Sequence, residues 1–342
     1  MKAGLKNKTI VPNTANKCLD SGECRTTVPH TLGLPVTYRC DGRCAMCSIW
    51  LKQAEAPELS LEKIKEVLTF PLVKDNIRTL IITGGEPTLR EDVSDIVEIA
   101  IENLNALKKI AFISNGLHTE RTLSYARRIV PLIPPDISAN FGVSLDGIGA
   151  THDRVRGIEG AFGKTVATFR ALKKVIAGKE NLSISLGMTI SRLNLHDARA
   201  VFEFARKEGV RSAFTTANVV DVYIDNIDRA GDFDFREKDR LEAAEFFEWL
   251  EERAPDPYNG MVAGMLRGGK RKMGCAARTG AMTIDVDGCV YPCGQTRKAL
   301  MGNIHTENLD EIWNGERARR VQDEILPEYC ERCKTRCYPE TA

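Results

Sequence analysis

The chain has no apolar run approaching the roughly eighteen residues that a membrane-spanning helix requires. Its opening stretch, MKAGLKNKTIVPNTANK, lacks the apolar core of a secretory signal. Neither sign of charge is in excess: 48 Lys+Arg against 47 Asp+Glu leave a formal net charge of +1, which excludes a global pull toward nucleic acid or acidic membranes. Internal repeats and low-complexity tracts are missing too. With 43% hydrophobic residues in 342, the chain can bury one large core or two ordinary ones, and disorder is excluded. A soluble cytoplasmic protein is the expectation, with no membrane partner and no nucleic acid.

Histidine is scarce, at five residues, whereas cysteine is abundant, at eleven. A reducing cytosol does not sustain structural disulfides in an ordinary mesophile, and an odd count cannot pair fully within one chain. Metal binding or catalysis is the remaining use. The cysteines gather at two places, 40 to 47 and 275 to 337, with Cys18 and Cys24 apart from both. The first group, in YRCDGRCAMCSIW, has the spacing Cys40-x3-Cys44-x2-Cys47, and the nearest histidine after it is His118. Thiolates are soft ligands suited to zinc or iron–sulfur centres. A closed zinc site wants four protein ligands; a [4Fe–4S] cluster on three cysteines leaves one iron open for a substrate or cosubstrate.

Residues 35–253 alternate short β-branched runs with segments of helical period, the signature of successive βα units around a parallel sheet. Strands are expected at 35–39, 79–85, 109–116, 137–147, 181–190 and 210–219. Each precedes an amphipathic stretch, from LSLEKIKEVLTF to EKDRLEAAEFFEWLEER. Ligands of such sheets collect at the carboxyl ends of the strands. The cysteine loop, GGEP, SNG and SLDG follow the first four strands in turn, so all four converge on one rim. Residues 1–34 are expected to form a surface extension. Beyond 254 the texture turns Gly-rich and basic, and 254–342 is expected to be a second, smaller module.

The Cys-x3-Cys-x2-Cys loop after a first strand, with GGEP at Gly84 to Pro87 after the second, resembles the radical S-adenosylmethionine (SAM) superfamily. The resemblance covers roughly 35–240 and implies an α/β fold, a partial (β/α)6 TIM-like barrel. It implies a [4Fe–4S] cluster on Cys40, Cys44 and Cys47 whose open iron chelates SAM, which is cleaved to a 5′-deoxyadenosyl radical that abstracts hydrogen from substrate. By position, Gly84, Gly85 and Glu86 would meet the methionine end of SAM, with Pro87 stiffening the turn. Met46 would lie near the adenine, a position usually aromatic in the family. Ser114, Asn115, Ser144 and Asp146 would serve the ribose or carboxylate, and Ser191 or Arg192 the fifth-strand contact. A reduced flavodoxin or ferredoxin is the electron donor the family implies.

The tail is similar to the SPASM and twitch modules of that superfamily. TIDVDGCVYPC reads as a β-hairpin turning at Asp287 and Gly288. The resemblance implies one auxiliary [4Fe–4S] cluster on Cys275, Cys293, Cys330 and Cys333. A second stays open, because CERCKTRC has only Cys-x2-Cys-x3-Cys and Cys289 and Cys337 are unassigned. Either of these two could donate a hydrogen atom to a substrate radical; otherwise each is an ordinary small hydrophobe.

Competing readings stand beside these. Zinc with a remote ligand could occupy the first group, and a zinc ribbon the tail. Asp146 could equally cap a helix. THDRVRG, with His152, Asp153, Arg154 and Arg156, reads as a solvated loop ahead of a substrate-facing cation pair, and GGKRKMG as solvent-exposed. Only 34 residues precede the expected first strand, which favours a small molecule, or a peptide presented by a partner. Two-electron oxidation is the leading reaction, with epimerisation or peptide maturation as alternatives and a binding protein without turnover as a different class. A general base directly after the hairpin cysteine is unsupported, since that position is Gly294.

Overall fold

A computed structural model describes residues 28–52 and 57–336; Cys18, Cys24 and Cys337 lie outside them. Six parallel strands form the main sheet: β1 (Thr31–Pro35), β2 (Thr79–Thr83), β3 (Lys109–Ser114), β4 (Ser138–Ser144), β5 (Leu182–Ile190) and β6 (Arg211–Thr216). The connecting helices include α1 (Leu61–Thr69), α2 (Val93–Asn103), α3 (Thr119–Ile129), α4 (Ala150–Arg156), α5 (Ala161–Val175) and α6 (Ala198–Lys207). Side chains alternate strictly along β2, β4 and β5. In β5, Leu182, Ile184, Leu186, Met188 and Ile190 are buried, while Ser183, Ser185, Gly187 and Thr189 stay half-buried on the other face. The buried row joins Phe169 and Leu172 of α5 in one core, and the other face presents a polar surface at which Asn140 Nδ2 donates to Ser185 Oγ at 3.0 Å.

The first strand lies earlier than the sequence indicated. TLGLP, with its glycine and proline, has poor strand propensity, yet Leu32 and Leu34 are buried between β2 and a later strand. Tertiary pairing overrides propensity here. Residues 36–39 run on beside the turn after β2, where the Val36 N–H donates to Thr83 O at 2.9 Å and the Gly85 N–H to Thr37 O at 2.7 Å.

After α7 (Glu237–Arg253) and α8 (Pro257–Leu266), the tail returns to the sheet. Strand β7 (Ala281–Ile284) pairs parallel to β1, then β8 (Cys289–Tyr291) and β9 (Gly302–Asn303) follow antiparallel. The sheet therefore has nine strands in the order β6-β5-β4-β3-β2-β1-β7-β8-β9. The hairpin expected around Asp287 and Gly288 is present, closed by Gly288 N–H to Asp285 O at 2.9 Å. One hydrophobic core runs from Leu32 to Leu326 without a break at residue 254. Among the described residues, no helix is long and apolar enough to cross a membrane.

Candidate active site at the carboxyl rim

The three cysteines of the first loop sit beyond the end of β1. Cys40 is buried, and Cys44 and Cys47 are half-buried. The loop is fixed through its backbone. The amides on either side of Cys44 donate to the last carbonyls of α4: Arg43 N–H to Arg156 O and Ala45 N–H to Val155 O, both at 2.8 Å. Such a close approach requires glycine at 157, because a Cβ there would lie 2.6 Å from Arg43 O; Gly157 also closes α4 with φ 65°. The loop carbonyls are capped in turn. Arg43 donates to Cys40 O and Gly42 O, Trp50 Nε1 to Cys47 O, and Asn226 Nδ2 to Met46 O at 2.7 Å.

Burial pushes the Cys40 and Cys47 thiols up to about 12, and the Cys44 thiol up as well. A buried trio of this kind gives up its protons only against a bound cation. At Gly42 the missing side chain leaves a hollow: a Cβ there would stand 3.5 Å from Cys44 Sγ and 3.6 Å from Cys40 Sγ. Among the described residues, no three His, Cys, Asp or Glu side chains converge tightly enough for a single ion. An all-sulfur donor set suits an iron–sulfur cluster, in which each sulfur binds a different iron.

The GGEP turn lies against this loop. Gly85 must be glycine, since a Cβ would fall 2.3 Å from Arg39 O. Pro87 is buried at the start of a short 3-10 turn, Pro87–Leu89. Glu86 is 1% exposed, and its carboxylate is committed to protein donors: Asn115 N–H at 2.7 Å, Thr88 Oγ1 at 2.8 Å and Ser114 Oγ at 3.0 Å. Burial raises its pKa, against the Asn115 and Thr88 hydrogen bonds. Glu86 thus latches the end of β2 to the end of β3, and the backbone of Gly84 and Gly85 is held as well, by Tyr223 and Thr37 O. Asn115 is likewise engaged, with Nδ2 donating to Asp41 Oδ1 at 2.7 Å.

Beyond β4, Asp146 is neither a helix cap nor an open contact: α4 is preceded by Gly149, and the Asp146 carboxylate pairs with Arg156 at 2.7 Å and accepts from Thr189 N–H at 2.8 Å. THDRVRG is therefore not a solvated loop. His152 is 0% exposed and Arg156 7%. His152 accepts from the Asp146 N–H through Nδ1, and burial pushes its pKa down to about 3, so the imidazole is neutral. Arg156 Nη1 lies 3.6 Å from Cys44 Sγ. Met46 packs among Val155, Ala217 and Phe233. Ser191 is buried and bonded to Asn194, while Arg192 donates to the carbonyls of Gly231 and Asp232. Ser144 ends β4 half-buried on the same face as Asn140.

In the tail, Cys275, Cys293, Cys330 and Cys333 come together: Cys330 hydrogen bonds with Cys275, and the Cys275, Cys293 and Cys333 sulfurs all act to hold its thiol well above the ordinary range. Four buried or half-buried sulfurs suit a fully ligated cluster. Cys289 stands apart on β8, with Asn303 Nδ2 donating to its sulfur at 3.4 Å. GGKRKMG is only partly exposed. Arg271, 9% exposed, donates to Cys333 O at 2.9 Å and Thr335 O at 3.1 Å, fastening the last cysteines to the segment before Cys275. No signal beyond a basic run marked it in the sequence.

Sequence reasoning also missed the segment after β6. Asn226, Arg229 and Tyr223 reach Met46 O, Cys47 O and Gly84 O, and Asp221 accepts from the Arg297 N–H of the tail. Tyr223 and Asp225 adopt φ of 53° and 48°, left-handed values that non-glycine residues keep where the surroundings impose them.

A family model for the radical SAM superfamily matches residues 34–205, half of the chain, and one for an iron–sulfur cluster-binding domain, SPASM, matches 275–337. The chain belongs to the radical SAM superfamily and is a radical SAM enzyme with a C-terminal SPASM domain, binding a [4Fe–4S] cluster and SAM in the first part and auxiliary iron–sulfur in the second. Among curated proteins it is 24% identical to the antilisterial bacteriocin subtilosin biosynthesis protein AlbA of Bacillus subtilis, over 97% of this chain and 71% of that protein. It is 27% identical to the AdoMet-dependent heme synthase of Methanosarcina barkeri, over 92% and 94%. Its fold is similar to that of Streptococcus suis SuiB bound to precursor peptide SuiA, with TM-score 0.63, 14% identity, and 94% and 74% of the two chains covered.

Proposed function

We propose that this enzyme oxidises a peptide substrate by two electrons. When bound, SAM and a cluster at Cys40, Cys44 and Cys47 would supply a 5′-deoxyadenosyl radical able to take one hydrogen atom, and an auxiliary cluster would supply a sink for the remaining electron as the second hydrogen leaves as a proton to solvent. The observation that carries the reading is the gathering of the Cys275, Cys293 and Cys333 sulfurs around Cys330, since a cluster with four protein sulfurs as ligands would have no open iron for substrate and would be left with electron transfer. The peptide class is supported by AlbA and by SuiB, which was solved with a precursor peptide. The heme synthase favours a tetrapyrrole-type substrate instead, and competes directly.

The chain's own residues position and shield. Glu86, Asn115 and Asp146 hold the strand ends in register around the cysteine loop, while Gly84 and Gly85 let the GGEP turn close onto the backbone of Thr37, Tyr38 and Arg39. The half-buried polar face of β4 and β5 offers Asn140, Ser144 and Thr189 toward substrate. A reduced flavodoxin or ferredoxin would deliver the electron that starts turnover. Epimerisation is the second reading, favoured by the half-buried Cys289 standing outside the four-sulfur group.

Anaerobic incubation with SAM, dithionite and candidate peptides in D2O tests the proposal. Oxidation gives a product two mass units lighter with no deuterium on carbon, whereas epimerisation incorporates deuterium at carbon and depends on Cys289. Failure of the reconstituted enzyme to release 5′-deoxyadenosine would sink both.

A further inference from the structure

The cysteine loop is built around a buried cation, Arg156. Arg156 is the last residue of α4 and 7% exposed. Burying a guanidinium is costly unless it is paired. Asp146 supplies one partner at 2.7 Å, and Thr189 N–H bonds that carboxylate at 2.8 Å, so the pair is locked to β5 as well as β4. On another edge Nη1 points to Cys44 Sγ at 3.6 Å. The third donor, Nε–H, is buried with no protein acceptor in the structure, unlike the great majority of buried donors in folded chains. An arginine guanidinium keeps its charge in proteins, so a permanent cation stands beside the Cys44 sulfur.

The backbone imposes this placement. Arg43 N–H to Arg156 O and Ala45 N–H to Val155 O bracket Cys44 and deliver its sulfur to the guanidinium. The neighbouring sulfur is served differently: Asn115 Nδ2 is 4.0 Å from Cys40 Sγ and is already bonded to Asp41 at 2.7 Å. The three cysteines are thus unequal, and one carries a charge-assisted donor.

We propose that Arg156 is a positioning residue for the first cluster, donating an N–H···S hydrogen bond to the Cys44 sulfur and raising the cluster's reduction potential, with Asp146 as its anchor. Net charge and hydrogen bonds to sulfur are the protein's levers on such potentials. A cationic donor stabilises the reduced, more negative cluster over the oxidised one, and so makes it easier for an electron donor to load. The inference rests on Cys44 being a ligand.

The test uses the full chain, reconstituted anaerobically, carrying Arg156→Met, Arg156→Lys or, as a control, Arg154→Met at the exposed neighbour on the same helix. Iron and sulfide are measured first. The SAM-sensitive paramagnetic signal of the reduced cluster, which reports the first site alone, is then followed in a redox titration. With iron retained, Arg156→Met is expected to lower the reduced-to-oxidised ratio at fixed potential about tenfold, or about 59 mV for a one-electron couple. Arg156→Lys keeps the charge without the planar fork and is expected to shift less, with a changed line shape; Arg154→Met is expected to match the wild type. A wild-type midpoint in Arg156→Met overturns the proposal. Should that variant fail to take up iron, a wild-type midpoint and line shape in Arg156→Lys overturns it equally. A Cys44→Ala chain that still assembled the SAM-sensitive cluster would sink the ligand assignment itself, a separate result from an unmoved potential.

Discussion

Asp285 shows how one side chain ties the segment leading into the first cysteine loop to the hairpin of the tail. It stands just past the carboxyl end of β7, 3% exposed, bonded to the Tyr38 hydroxyl and to the Val286 N–H, while Tyr38 and Val286 pack with Cys40. Burial lifts its pKa from 3.8 to about 6. The folded chain therefore keeps a proton that the unfolded chain has lost. This contribution is fully present below the unfolded value and vanishes as pH rises through about 6; above that, the buried carboxylate weakens the fold by about 3 kcal/mol. Asp285→Asn keeps the acceptor oxygen without the charge. Its melting temperature is expected to exceed that of the wild type at pH 8 and to approach it at pH 5, as followed by anaerobic thermal denaturation of the loaded protein. An equal gap at both pH values would refute the assignment.

At the scale of elements, position on the rim matters more than type. The segment 217–229 has no regular structure along most of its length, yet it bonds the cysteine loop, the GGEP turn and the tail. Asn226 is its pivot: it is 1% exposed, donates to Met46 O and Asn218 O, and accepts from Val220 N–H. Asn226→Ala leaves those groups buried and unpaired, at a cost of about 1–3 kcal/mol. The expected outcome is a lower melting temperature together with reduced iron at the first site and normal iron at the second. The paramagnetic signals of the two sites provide the check. Helix α4 makes the same point, since its seven residues matter through the two carbonyls they offer to the cysteine loop.

At the scale of the whole molecule, the tail is an extension of the barrel sheet, because β7 adds to the edge of β1 and the core is continuous through it. Around its last described cysteines Arg271 is the central clasp, its guanidinium spanning Met273 O, Cys333 O and Thr335 O. Arg271→Met is expected to cut total iron from about eight to about four per chain, leaving the SAM-sensitive signal intact. Unchanged iron content would show that the four sulfurs assemble without this clasp.

What the sequence determined by itself is local. Three cysteines within eight residues, GGEP, the DG turn and the alternation of β-branched and amphipathic runs each act over a few residues, and each marked its element to within a short shift of boundary. The position of β1, the burial of Arg156 and Arg271, and the engagement of Glu86 and Asn115 were settled only by the tertiary structure. TLGLP becomes a strand because two neighbours flank it. Arg156 becomes buried because Asp146 and, 112 positions away, Cys44 close around it, and Arg271 because the Cys333 and Thr335 carbonyls fold back onto it. A charge reads as solvated in sequence because its partner's distance along the chain is invisible there; the desolvation that makes it a component of the site arises only when the chain closes around it.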